Sequence, residues 1–201
     1  MDQFLDVTVY NFCDLPLVDA RHYLQDDEKG IARGSSGDPA VRADLQRQAE
    51  SGDLAAQIAL AKALLGQKPP RTEEGMRWNL MAAKQGEDQA QFHYAKNLLL
   101  LRGDEAAPEA VKWLNKSAAQ GNDEAQYLLG LILYEGKLVA EDRVAAGQWI
   151  LLAAAADNTD ARRLFKEMQL FLSAGETAEA RQRAASFKPV KQAAALPRKP
   201  Q

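Results

Sequence analysis

Two histidines, His22 and His93, and one cysteine, Cys13, make up the whole stock of imidazole and thiol groups. They stand far apart, so no Cys/His spacing suited to a metal ion exists. Neither the G-x-S-x-G turn that exposes a catalytic serine nor the G-x-x-x-x-G-K-[ST] loop that cradles phosphates occurs, and Gly34-Ser35-Ser36-Gly37 has the composition of a linker. Acidic pairs such as Glu73-Glu74 and Asp26-Asp27 fall at helix starts or on solvated stretches, where the helix dipole and water account for them. Catalysis needs converging groups, so the sequence predicts a chain that is not an enzyme and takes no cofactor and no metal. His93 is expected as a packed or surface side chain, and Cys13, in an apolar run, as a buried hydrophobe.

Binding chemistry is the richer signal. Ile58, Phe92, Tyr127 and Arg163 recur at intervals of 34 to 36 residues, and four residues beyond each come Lys62, Lys96, Leu131 and Glu167. A third column adds Leu65, Leu99 and Tyr134. An aromatic pair flanked by two lysines suits a peptide or helix with apolar anchors and acidic neighbours. The competing reading makes Phe92 and Tyr127 part of the core, and the residues alone leave the two open.

The elements that must position these columns repeat. Trp78, Trp113 and Trp149 stand 35 and 36 residues apart, and each is followed eight residues later by a turn position, Gly86, Gly121 or Asp157. An earlier turn at Gly52 extends the series. Counted from the turn, the fourth position is always Ala (Ala56, Ala90, Ala125, Ala161), followed by Gln57, Gln91, Gln126 and Arg162. The eighth is Leu60, Tyr94, Leu129 and Phe165; the ninth is Ala61, Ala95 and Gly130 until Lys166; the twelfth is Leu64, Leu98 and Leu133 until Gln169. Large side chains at eight and twelve, with small ones at four and nine, share one helix face and admit a close neighbour. This is helix A. The tryptophan segments, bounded by Thr72, Pro108 and Asp142, form helix B, with the tryptophans expected in the core between helices. Glycine at the first three turns supplies the permissive backbone between one helix B and the next helix A.

In the third copy, Ala125-x-x-x-Leu129-Gly130-x-x-x-Tyr134-x-Gly136, followed by Ala145, Trp149, Ala153 and Ala154, resembles the Sel-1-like repeat, a relative of the tetratricopeptide repeat. The second copy has Ala95 and Leu99 in place of the glycine and tyrosine, the first has Ala61 and Leu65, and the fourth, from Asp157 onward, is highly degraded. The resemblance covers residues 49 to 156 well and the next thirty poorly. It implies an all-α fold, an α-solenoid of stacked helix-turn-helix repeats, and an adaptor rather than a catalyst. It also implies that helix A lines the concave side, so that Ile58, Lys62, Phe92, Lys96, Tyr127, Leu131, Tyr134 and Arg163 line a groove for a protein or peptide partner.

Composition and flanks fit. Alanine and leucine supply 62 of 201 residues, against 8 Val, 4 Ile and 4 Thr, which favours helices over sheets. Net charge is -3, so no global positive field draws the chain to nucleic acid, and the longest apolar run, Trp149 to Ala156, is far below a membrane span. Residues 38 to 187 are read as the solenoid, opening with a lone helix over 38 to 49 and closing with polar residues around Thr177 to Ser186. Residues 188 to 201 hold four basic residues, three prolines and no acid, and read as a disordered basic tail. Residues 1 to 37 form an apolar and acidic segment ending in the linker; it is expected to pack on the first helices or, alternatively, to dock on another chain. The start lacks a charged and apolar leader, which predicts a cytoplasmic protein, or a periplasmic one if a signal has been removed. Function is expected to be that of a non-catalytic bacterial adaptor, with an immunity or inhibitor role as one form and an envelope assembly or secretion-associated factor as the alternative.

Overall fold

In a computed structural model, which describes residues 39–67 and 69–190, nine α-helices follow one another with no strand among the described residues. They are α1 (Pro39–Glu50), α2 (Leu54–Leu65), α3 (Thr72–Lys84), α4 (Asp88–Arg102), α5 (Ala107–Ala119), α6 (Asp123–Glu135), α7 (Arg143–Ala155), α8 (Thr159–Met168) and α9 (Ala174–Ser186). A 3₁₀ turn, Gly103–Ala106, joins α4 to α5. Each helix packs on the next in sequence from α1 to α8, as a solenoid requires. The helices α2, α4, α6 and α8 occupy the predicted helix-A segments, and α3, α5 and α7 the helix-B segments.

Local chemistry starts every helix A in the same way. The turn residue adopts positive φ: 93° at Gly52, 95° at Gly86, 101° at Gly121 and 68° at Asp157. The residue after it caps the helix. Asp53, Glu87, Asn122 and Asn158 each accept a hydrogen bond from the backbone N–H of the alanine three residues on, at 2.7 to 2.9 Å. That alanine is the fourth-position residue of the sequence columns, and all four copies of it are buried.

The small residues do what their spacing suggests. A Cβ built on Gly130 would stand 2.7 Å from Ile150 and 3.1 Å from the Ala146 carbonyl, so α7 lies against α6 at a distance that only glycine permits. In the first copy the small residue sits on the other helix, where a Cβ on Gly75 would meet Leu65 at 2.7 Å.

A seam of glutamines runs along the turns. Gln57, Gln91 and Gln126 are buried, and each donates to a carbonyl eight residues earlier, on Ala49, Ala83 and Ala118 respectively. Gln85 donates to the Gln57 side chain and Gln120 to that of Gln91, both at 2.9 Å, which joins the end of helix B to the start of helix A within the first and second copies. Ser117 adds a bond to the Asp88 carbonyl.

Two expectations need correction. The tryptophans are half-buried rather than enclosed: Trp78 packs against the cluster around Leu60, Trp113 meets Tyr94 edge-on at 5.5 Å beneath the Lys116 ammonium, and Trp149 meets Phe187 at 5.7 Å. All three are partly buried and packed against the core clusters from helix B. The terminal pair also differs, because α9 packs on α7 and scarcely on α8. Its Ala180 approaches Gly147, whose added Cβ would stand 2.9 Å away. Beyond α9 the chain stays attached as far as Val190, whose N–H donates to the Ala119 carbonyl at 2.9 Å, while Pro189 lies beside Gly121. The expectations for Cys13, for residues 1–37 and for the tail from 191 onward lie outside the described residues.

Candidate partner-binding face

The three columns singled out in the sequence fall on successive A helices. Ile58 and Lys62 are on α2, Phe92 and Lys96 on α4, Tyr127, Leu131 and Tyr134 on α6, and Arg163 on α8. None belongs to the fourth, eighth, ninth or twelfth positions that knit A to B.

The structure brings some of these side chains together and keeps others apart. Phe92 is 1% exposed, and the Lys96 ammonium lies 5.9 Å from its ring centroid, a distance at which a cation and the ring quadrupole attract. His93 stands beside Phe92 with ring centroids 5.5 Å apart, and is exposed. Tyr127, Leu131 and Tyr134 are buried. Burial pushes the Tyr127 hydroxyl up to about 12, and the neighbouring Asp160 carboxylate acts in the same direction. Tyr134 is raised by burial too, with the Arg143 guanidinium opposing, and its hydroxyl has no hydrogen-bond partner among the described residues. Ile58 is half-buried, while Lys62 and Arg163 are exposed, Arg163 pairing with Asp160 at 3.2 Å.

Sequence reasoning overlooked a neighbouring line. On α4 and α6 positions seven and fourteen lie one turn either side of the tenth, which adds His93 and Leu100 to Lys96 on α4, and Leu128 and Glu135 to Leu131 on α6. The spacing of three and four residues from Lys96 and Leu131 was the available signal. Chemically, the face offers ammonium groups, apolar surface and aromatic rings, and no arrangement of acid, base and nucleophile. Among the described residues no group of three His, Cys, Asp or Glu side chains is placed to hold a metal ion, and no helix is long and apolar enough to cross a membrane.

A scan against protein-family models gives no match, and a search of the curated proteins gives none either. Solved structures do match. The chain is similar to a Sel1 repeat protein from Oxalobacter formigenes, with 33% identity over 62% of this chain and 96% of that one, at a TM-score of 0.53. It also matches c5321, a protective antigen of uropathogenic Escherichia coli strains displaying an SLR fold, at 22% identity over 80% of this chain and 43% of that one, with a TM-score of 0.43. The capped turns, the small residues between paired helices and a third of positions shared with nearly the whole of the Oxalobacter protein have one common explanation: the chain belongs to the Sel1 repeat family.

Proposed function

We propose that this protein is a non-catalytic binding module that grips a protein or peptide through the helix-A face of its solenoid. The fold is one generally used as a scaffold for protein–protein interaction. The observation that carries the proposal is the division of labour on each A helix. Positions four, eight, nine and twelve hold the hairpins together, while positions six and ten leave Arg163 and Lys62 exposed at the two end A helices, beside the buried Phe92, Lys96, Tyr127, Leu131 and Tyr134 of the interior ones. Aromatic and aliphatic anchors beside lysines favour a partner segment with apolar side chains and acidic neighbours. Exposed Lys62 and Arg163 mark the two ends of that face.

Photo-crosslinking amino acids placed at Lys62, at Arg163 and, as an outer-face control, at Lys112 test this in cells. Crosslinks to one polypeptide from the first two positions and not from Lys112 are the expected result. Equal capture from all three, or capture only from Lys112, sinks the assignment of the face.

A further inference from the structure

The two edges of the solenoid differ in chemistry. Successive helices run in opposite directions, so the links from helix B to helix A fall on one edge and those from helix A to helix B on the other. The first edge is polar, carrying the capping residues Asp53, Glu87, Asn122 and Asn158. The second carries a pair of adjacent apolar side chains in each of three successive copies: Leu100–Leu101 at the end of α4, Leu138–Val139 between α6 and α7, and Leu170–Phe171 between α8 and α9. Leu100 and Leu101 are 41% and 42% exposed, Leu170 80% and Phe171 39%, while the middle pair is half-buried against the core. Single apolar side chains at a surface are ordinary. Among the described residues, however, the only other large ones so exposed are Met81 and Val190, so the exposure is concentrated along one edge.

We propose that this edge is a homodimer contact: a second copy of the chain lies antiparallel against it, the two-fold axis crossing the stripe at Leu138–Val139, so that Leu100–Leu101 of each copy meet Leu170–Phe171 of the other. Spacing permits it, because the outer pairs stand one copy either side of the middle pair and the rotation exchanges them. Charge selects it. Asp104 and Glu105, exposed in the 3₁₀ turn after α4, lie beside one outer pair, and exposed Lys166, in the last turn of α8, lies beside the other. The same rotation sets the acids of one copy against the lysine of its partner at both ends, whereas a two-fold axis along the stripe would set Glu105 against Glu105. Size fixes the strength. Three copies spaced by about 10 Å, each two helices wide, present about 600 Å² per copy, at the lower limit for a specific interface, so the dimer exchanges with a Kd of about 10–100 µM. An anionic lipid surface is a poor occupant, because Glu141, Asp142 and Glu176 cluster beside the middle and outer pairs. The contact uses none of the residues assigned to the binding face.

Sedimentation equilibrium of the full chain from about 5 µM to about 1 mM tests the proposal, and the expected result is a monomer–dimer equilibrium with nothing larger. Leu170→Asp, at a side chain that is 80% exposed, should weaken the dimer at least about tenfold, and Met81→Asp, at the 44% exposed side chain on α3, less than about twofold, with the circular dichroism of both unchanged. Orientation is read from charge. Glu105→Lys and Lys166→Glu should each weaken association about fivefold on its own, whereas an equimolar mixture of the two single variants, in which every acid again faces a base, should associate as tightly as the unsubstituted chain. A chain that stays monomeric to about 1 mM, species larger than a dimer, a Leu170→Asp effect no greater than that of Met81→Asp, or a mixture no tighter than its components overturns the proposal. Amide exchange at Leu101 and Leu170 completes the test. Protection there should rise with protein concentration; protection already complete in the dilute monomer points to a segment of the same chain as the cover and overturns the dimer.

Discussion

The third and fourth copies begin alike and end differently. Asn122 and Asn158 cap α6 and α8 with the same bond to the third helical N–H, and the turn before each has positive φ. At position nine the third copy has Gly130, against which Ile150 closes, while the fourth has exposed Lys166. α8 packs on α7, with Phe165 near Gly147, and α9 turns back to α7 instead of completing a hairpin. Turn and cap therefore recur in both copies, whereas the small residue facing the B helix is present in the third copy and absent from the fourth, where the pairing stops.

Substitutions at matched positions can break this comparison. The largest effect is expected at position nine: Gly130→Leu drives a side chain into Ile150 and the Ala146 carbonyl and should cost about 3 kcal/mol, whereas exposed Lys166→Leu should stay within about 0.5 kcal/mol, both read from urea unfolding. Equal losses would show that position nine is not what separates the copies. Next comes the tryptophan that the fourth copy lacks. Trp113→Ala removes a half-buried ring packed on Tyr94 and should cost about 2–3 kcal/mol, at the low end for an aromatic truncation because the side chain is only half-buried; an unchanged melting temperature would refute its packing role. Gln126→Ala leaves the Ala118 carbonyl without its side-chain donor and should cost about 1–2 kcal/mol, while Arg162→Ala, whose guanidinium donates to the Ala154 carbonyl from an exposed position, should cost under about 0.5 kcal/mol. Calorimetry of the pair settles whether the buried donor is worth more than the exposed one. The smallest effect is a gain. Asp157 holds a left-handed conformation that the other copies give to glycine, and Asp157→Gly should raise stability by about 0.5 kcal/mol, net of its exposed ion pair with Arg162.

Much of this was legible in the residues. Alanine at position four, the large residues at eight and twelve, and the glycine turns gave helix pairs whose limits agree with α2 to α8, since each signal is local or comes from one helix meeting its sequence neighbour. Two features were not. The repeated Gln57, Gln91 and Gln126 are plain in the sequence, but their bonds close over eight residues and depend on the turn's exact path. The course of α9 depends on Gly147 and Ala180, which belong to no column and meet only because α8 offers no second face. On the binding face the side chains were identified by position, whereas their enclosure at Lys96 and Leu131 varies along the stack in a way that a periodic pattern does not encode.

The glutamine seam bears on how the molecule answers to force. Gln91 ties the second copy to the Ala83 carbonyl of the first and Gln126 ties the third to the Ala118 carbonyl of the second, but at the same place in the fourth copy the link to Ala154 is an exposed arginine. Pulled by its two ends, the protein is a zipper with one weak tooth: α8 and α9 should peel away first, while the three copies joined by amides hold their curvature.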